Sequence, residues 1–334
     1  MNNTLYRIST KLVCLLCALS MLFAFASCNG DGEGDETLGE IYHTITFNTN
    51  GGSTVDSVQV RDGYYALRPE DPTLDNYVFR RWETDGREWL FEAKKVTKSM
   101  TLSALWVPAI ELFELTPEEN GSGLVIVDFK KAASFSTLKI PSVINGKNIV
   151  GLADGAFANT GTDHASVIVI PETIVSVGNE AFKDSSEIKF DIKGTLTSIG
   201  EASFQGCKLL EKIKLGEGMT TIPFMAFFEC SSLKTIAIPE GVTTIEENAF
   251  EGCSSLVTVV LPASLESVED SGFAYCSSLK TVFYKGTEEQ LDAIEISDSN
   301  ETLANAKVYF YSETEPTEEG LWWHFDSSNS PVIW

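Results

Sequence analysis

Four cysteines, Cys207, Cys230, Cys253 and Cys276, stand 23 residues apart in succession. An even number of cysteines in an exported chain ordinarily pairs into disulfides, here two. A strict period points instead to one equivalent position in a repeat. The three histidines, His43, His164 and His324, are far apart, a poor supply for a His-based zinc site or a catalytic triad. With 48 acidic residues, carboxylate pairs arise by chance, and none sits in a distinctive glycosidase-like arrangement. The chain has no P-loop, GxSxG, HExxH or dinucleotide fingerprint. We therefore expect no enzyme, no cofactor and no metal. The 24 basic residues leave a net charge of −24, which disfavours sequence-independent nucleic-acid binding, since that requires a basic face.

The N-terminus reads as an address. Arg7 and Lys11 precede an apolar run from Leu12 to Phe25, too short for a bilayer span and typical of a secretory core. Leu22 to Cys28 resembles a bacterial lipobox, although Phe25 stands where Leu or Val is usual. The resemblance implies that Cys28 is diacylated and becomes the mature N-terminus; cleavage near Ala26 as an ordinary signal peptide is the alternative. Residues 1–27 are thus a lipoprotein signal peptide and 28–40 an acidic, Gly-rich tether that cannot build a core. Loss of residues 1–27 removes two positive charges and no negative one, giving −26. The acids after Cys28 also resemble surface-export signals of Bacteroidetes lipoproteins, implying an outer-membrane lipid anchor facing the cell exterior. They lack the twelve-residue spacing of an EF-hand calcium loop.

The positioning elements emerge from an internal repeat. Phe157, Phe182, Phe204, Phe227, Phe250 and Phe273 are 25, 22, 23, 23 and 23 residues apart. Between them run alternating apolar residues such as Ile236 and Ile238, a Pro239-Glu240-Gly241 turn, a second apolar stretch and Ala249-Phe250. This predicts a strand, a turn, a second extended segment and a corner, in units that must stack to bury an apolar face. The column three places after each Phe reads Thr160, Ser185, Cys207, Cys230, Cys253 and Cys276. Ser and Thr replacing single cysteines argue against pairing and for a buried ladder of free thiols. The copies resemble the BspA-like leucine-rich repeat, LxxIxIPxxVxxIGxxAFxxCxx, over about residues 132–286.

Residues 41–107 differ in texture. Ile45 and Phe47, the Asn50-Gly51-Gly52 turn, Val55, Val58 and Val60, then Tyr77, Phe79 and Trp82 predict a small β-rich module. TFNTNGGS, PEDPTLDNYVFRRW and VTKSMTLSALW resemble the Listeria–Bacteroides repeat, which implies a β-grasp-like fold. Asn76 and Arg81 stand where that family commonly has glycine.

The expected fold class is mainly β: a β-grasp-like domain (41–107), then a solenoid of about 23-residue period with its N-terminal cap (108–286), then a C-terminal cap (287–334). In that cap Trp322 and Trp323 either close the open apolar end or form a platform for sugars. Period-2 geometry places Lys189, Lys212, Lys214, Thr235 and Phe283 on an outward ladder, the candidate ligand surface. Lysines there also discourage strand pairing at exposed edges. The resemblance implies a monomeric surface module that binds protein or glycan ligands non-covalently, touching the membrane through its lipid alone. Glycan capture, or a structural role without soluble ligand, are the alternatives.

Overall fold

The computed structural model describes residues 40–119, 121–317, 320–328 and 330–334; the expected signal peptide, Cys28 and all but the last residue of the expected tether lie outside them. Residues Tyr42–Trp334 form one compact unit. Strands β1 (Tyr42–Asn48), β2 (Val58–Arg61), β3 (Tyr77–Thr84), β4 (Arg87–Glu88) and β5 (Met100–Pro108) make one sheet, ordered β2-β1-β5-β3-β4. Its central pair, β1 and β5, is parallel and the other pairings are antiparallel, the mixed order of a β-grasp-like sheet. Asn50 and Gly51 both have positive φ, as the turn after β1 requires. Phe79 and Trp82 both face the module core although they are three apart, because the register shifts between Phe79 and Arg81. The neighbouring Val78 points the other way and joins the solenoid core, while Tyr77 is exposed.

Asn76 keeps a left-handed backbone (φ 65), which explains why it can replace glycine. Its substitution also has a structural use. The Asn76 side-chain oxygen accepts the Asn145 N–H, and its carbonyl accepts the Ala109 N–H. Arg80 adds a bond to the Ser134 carbonyl. These contacts fix the module to the start of the solenoid.

A short helix, α1 (Ala109–Leu112), leads into β6 (Phe113–Pro117), β7 (Leu124–Phe129), β8 (Phe135–Lys139), β9 (Val143–Ile144) and β10 (Lys147–Leu152). The regular coils then contribute two parallel sheets. The outer face carries β11 (Ala165–Ile170) and β13 (Lys189–Ile192), then β16 (Thr235–Ala237), β18 (Thr258–Leu261) and β20 (Thr281–Tyr284). The opposite face carries β12 (Ser176–Val177), β14 (Ser198–Ile199), β15 (Thr221–Ile222), β17 (Thr244–Ile245) and β19 (Ser267–Val268). The six phenylalanines are fully buried and stack along the axis, with centroids 5.0–5.7 Å apart. That spacing follows the ~4.8 Å separation of paired strands.

Stacking does not stop at residue 286. Helix α2 (Glu288–Asp292), capped reciprocally by Thr287 and Gln290, leads to β21 (Glu295–Ile296), which pairs with β19. After α3 (Glu301–Ala304), β22 (Lys307–Tyr311) pairs with β20, completing one irregular coil. Buried Asn300 terminates the corner ladder: its oxygen accepts the Phe273 N–H, and its amide donates to the carbonyls of Glu269 and Ser297. Strands β23 (Trp322–Phe325) and β24 (Pro331–Ile333) then fold against β22.

Both sheets are interrupted at one boundary. β13 has no partner strand on the side of the next coil, and β14 does not pair with β15. The sequence explains the position. Ile188 and Ile192 are four residues apart, whereas Leu210–Leu215, Leu233–Ile238 and Leu256–Leu261 are five apart. The coil is one residue short in its outer strand, and Leu215 of the following coil bridges Leu196 instead of continuing the ladder beside Ile192. The corner remains closed, through bonds from Ala202, Phe204 and Gly206 to Phe224, Ala226 and Phe228.

Candidate interaction surface

The cysteine column is structural. All four thiols are buried and free. Each donates to the phenylalanine carbonyl of the preceding coil: Cys207 to Phe182, Cys230 to Phe204, Cys253 to Phe227 and Cys276 to Phe250, at 3.1–3.2 Å. Ser185 does the same to Phe157, which explains the Ser substitution, and Thr302 does so to Phe273, whereas Thr160 donates to the Phe157 carbonyl of its own coil. The slot therefore selects for a small donor and not simply for a small hydrophobe. Burial raises all four thiols, Cys276 to about 12, so no nucleophile is available there. Cys253→Ser, which keeps the donor, is expected to cost about 1 kcal/mol less than Cys253→Ala, which removes one of the two hydrogen bonds to the Phe227 carbonyl and leaves it the Cys230 N–H. Urea unfolding of the two variants decides this; a more stable Ala variant would make the slot merely apolar.

The histidines are dispersed as expected. His43 contacts Asp62 at 2.8 Å, His164 lies beside Asp163, and His324 stacks on Trp334.

On the outer face, Lys189, Lys212, Lys214 and Thr235 are exposed. Phe283 is not. It points outward from β20 but is 6 % exposed, because Trp323 lies over it with ring centroids 5.1 Å apart. Val260 is covered in the same cluster, with Tyr309, Tyr311 and Phe325 packed around it. The apolar C-terminal end of the face is thus an internal interface, and Phe283 leaves the candidate ligand surface. Trp323 is fully buried and donates its indole N–H to the Tyr284 carbonyl, so it caps and cannot serve as a sugar platform; Trp322 is half-buried.

The lysines coincide with the interrupted ladder. Lys189 lies on β13 and Lys212 and Lys214 on the extended segment that follows, between β13 and β16. Among the described residues these three lysines form no ion pair. Lys234, bonded at 2.8 Å, and then Lys189 and Lys212 pull Glu211 below the usual carboxylate range. The N–H groups of Lys212, Ile213 and Lys214 donate no hydrogen bond among the described residues. Exposed cations and free donors therefore share one seam in a strongly acidic protein. The sequence located these lysines but gave no hint of the free main chain, which depends on strand pairing between coils.

At its N-terminal end the open face is walled by the module. A cavity of ≈ 470 Å³ lies between the 72–79 segment and Trp106 on one side and the strands around Lys139 and Val169 on the other.

Stacked parallel coils with an aliphatic ladder inside and a phenylalanine corner define a leucine-rich-repeat protein. Residues 129–209 and 150–280 match the BspA type leucine-rich repeat region in six copies, and residues 43–105 match the Listeria-Bacteroides repeat domain. The chain is a BspA-type leucine-rich-repeat protein with an N-terminal Listeria-Bacteroides repeat domain.

Two curated relatives, both from Evansella cellulosilytica, are named as a membrane protein and a Gly-rich membrane protein. They are 29 % and 27 % identical over 33 % and 36 % of this chain, and the matches span 17 % and 14 % of their own lengths. Among solved structures, a T. pallidum leucine-rich repeat protein is 24 % identical, with a TM-score of 0.46, covering 53 % of this chain and 80 % of that one. A leucine-rich cell surface protein from Faecalibacterium prausnitzii A2-165 is 25 % identical, with a TM-score of 0.38, covering 59 % and 45 %. Among the described residues, no helix is long and apolar enough to cross a membrane.

Proposed function

We propose that this protein is a non-enzymatic recognition lipoprotein, held at the bacterial outer membrane by lipid on Cys28 and displayed to the exterior. It binds a macromolecular partner, of the class of matrix proteins or other surface proteins, through the open stretch of its outer sheet. The observation carrying this reading is the seam of exposed, unpaired Lys189, Lys212 and Lys214 beside Thr235, on an exposed face bounded by a cleft and an aromatic lobe. Leucine-rich repeats generally bind proteins, and repeats of this type belong to surface proteins, which supports the class of partner and the location. Burial of Trp323 removes the main support for a sugar platform.

The test is a binding screen of the solubilised protein against immobilised matrix proteins and bacterial surfaces at two salt concentrations. Saturable, salt-weakened binding is expected, and Lys189→Glu/Lys212→Glu/Lys214→Glu should weaken it by about tenfold or more, as three lost exposed pairs would. Unchanged affinity would remove the lysines from the site. The anchor has its own readout: Cys28→Ser should abolish incorporation of labelled palmitate and release the protein from membranes.

A further inference from the structure

The cleft and the lysine seam lie on the same face, and their chemistries are complementary halves of one site. The cleft wall is apolar and ring-rich, with Tyr77, Trp106, Pro141 and Pro171, while Lys139 and Lys193 stand on its solenoid side. Cavities of this kind at domain junctions, apolar with a few placed charges, are the usual form of a side-chain pocket. Lys193 follows directly on β13, the strand that carries Lys189. Coils repeat every ~4.8 Å, so the coil of Val169, on the cleft floor, and the coil of Lys212 and Lys214 are roughly 10 Å apart, about three residues of extended chain. Past the cleft such a chain meets the free N–H groups of residues 212–214, which lack the carbonyl partners that a regular coil would supply.

We propose that the cleft and seam together seat an extended acidic peptide segment of a partner protein. An aromatic or proline side chain fills the cleft, carboxylates about three residues onward meet Lys189, Lys212 and Lys214, and a main-chain carbonyl accepts from an N–H of the 212–214 segment. The peptide crosses the coils on the outer face, so that a backbone bond at the unpartnered segment adds affinity while the pocket and charges give selectivity. The protein's overall negative charge does not exclude it. Distant acids are screened beyond about 8 Å at physiological salt, and the nearby Glu211 is engaged by Lys234 at 2.8 Å, whereas the lysines act at contact. The proposal rests on the outer-face reading above and specifies its ligand.

Random twelve-residue peptides displayed on phage, selected on the full chain in detergent micelles, test it. Enriched peptides are expected to carry Trp, Tyr, Phe or Pro within about four residues of two or more acids. A synthetic peptide of the enriched sequence should bind about tenfold or more weakly after the triple lysine reversal. It should weaken comparably after Val143→Trp, which fills the cleft from a position 42 % exposed, or after Tyr77→Ala, at 41 %. Circular dichroism melts confirm that these variants fold. Loss with the lysine reversal alone overturns the cleft while leaving the outer-face function standing. Enrichment of basic or uncharged peptides, or of none, overturns the acidic-peptide proposal, because folded partners are scored separately in the screen.

Discussion

Phe227→Ala should lower the unfolding free energy by about 3–5 kcal/mol, the usual cost of truncating a fully buried phenylalanine, and should also split the unfolding transition in two. Phe227 is 0 % exposed and stacks on Phe204 at 5.7 Å and Phe250 at 5.2 Å. In a solenoid each coil is held by its neighbours, so cooperativity passes through whatever contacts cross each boundary. At most boundaries two sheet ladders and the corner share that load. Between the coils of Phe204 and Phe227 both ladders are interrupted, and the corner, with the bond from Cys230 to the Phe204 carbonyl, carries a larger part. Removing Phe227 weakens the boundary where little else remains. Phe182→Ala is the control: it removes an equally buried ring, stacked on both sides, from a coil whose ladders are intact toward both neighbours, and should cost a similar amount with a single transition. Denaturant unfolding followed by hydrogen exchange on each half distinguishes them. A single transition in both variants would show that the interrupted sheets do not limit coupling.

The second large effect concerns the C-terminal lobe. Trp323→Ala should cost about 3–5 kcal/mol and expose apolar surface. Trp323 is 0 % exposed, lies against Phe283, Tyr311 and Phe325 with centroids 4.8–5.1 Å apart, and anchors its indole N–H on the Tyr284 carbonyl at 3.1 Å. Its removal uncovers Val260 and Phe283 on the outer sheet. The variant should bind a hydrophobic dye and melt earlier, and its loss should appear in C-terminal amides first. If stability were unchanged while binding to a glycan array disappeared, the tryptophan would be a ligand residue and not a cap.

Much of this architecture was legible in the sequence because a repeat states each position several times. One phenylalanine at a corner is weak information, but six in register define a column. The same logic identified the thiols as unpaired, since Ser185 and Thr160 occupy equivalent slots and cannot form disulfides. What the column does was less legible. The thiols act as donors to carbonyls 25 or 26 residues earlier, a relation between coils that alternation within one coil does not express.

Phe283 shows where a local rule failed. Period-2 geometry placed it correctly on the outward side of its strand, but outward from a sheet is not the same as exposed to water. The covering residue, Trp323, is 40 positions later and outside the repeat. The 22-residue interval was visible in the spacing, yet its consequence, two interrupted ladders beside a closed corner, depends on how a shortened coil lies against its neighbour. Asn76 behaves in the same way: its departure from glycine is apparent in the chain, whereas its bond to Asn145 exists only after the module and solenoid meet.

The sequence by itself determined the repeat, its period, the inward residues and the lysines on the face opposite them, because those follow from residue type and local chain geometry. The tertiary structure alone decided which outward residues remain open, where the ladder lacks partners and where a cleft forms, because burial and hydrogen-bond pairing belong to surfaces brought together from distant parts of the chain.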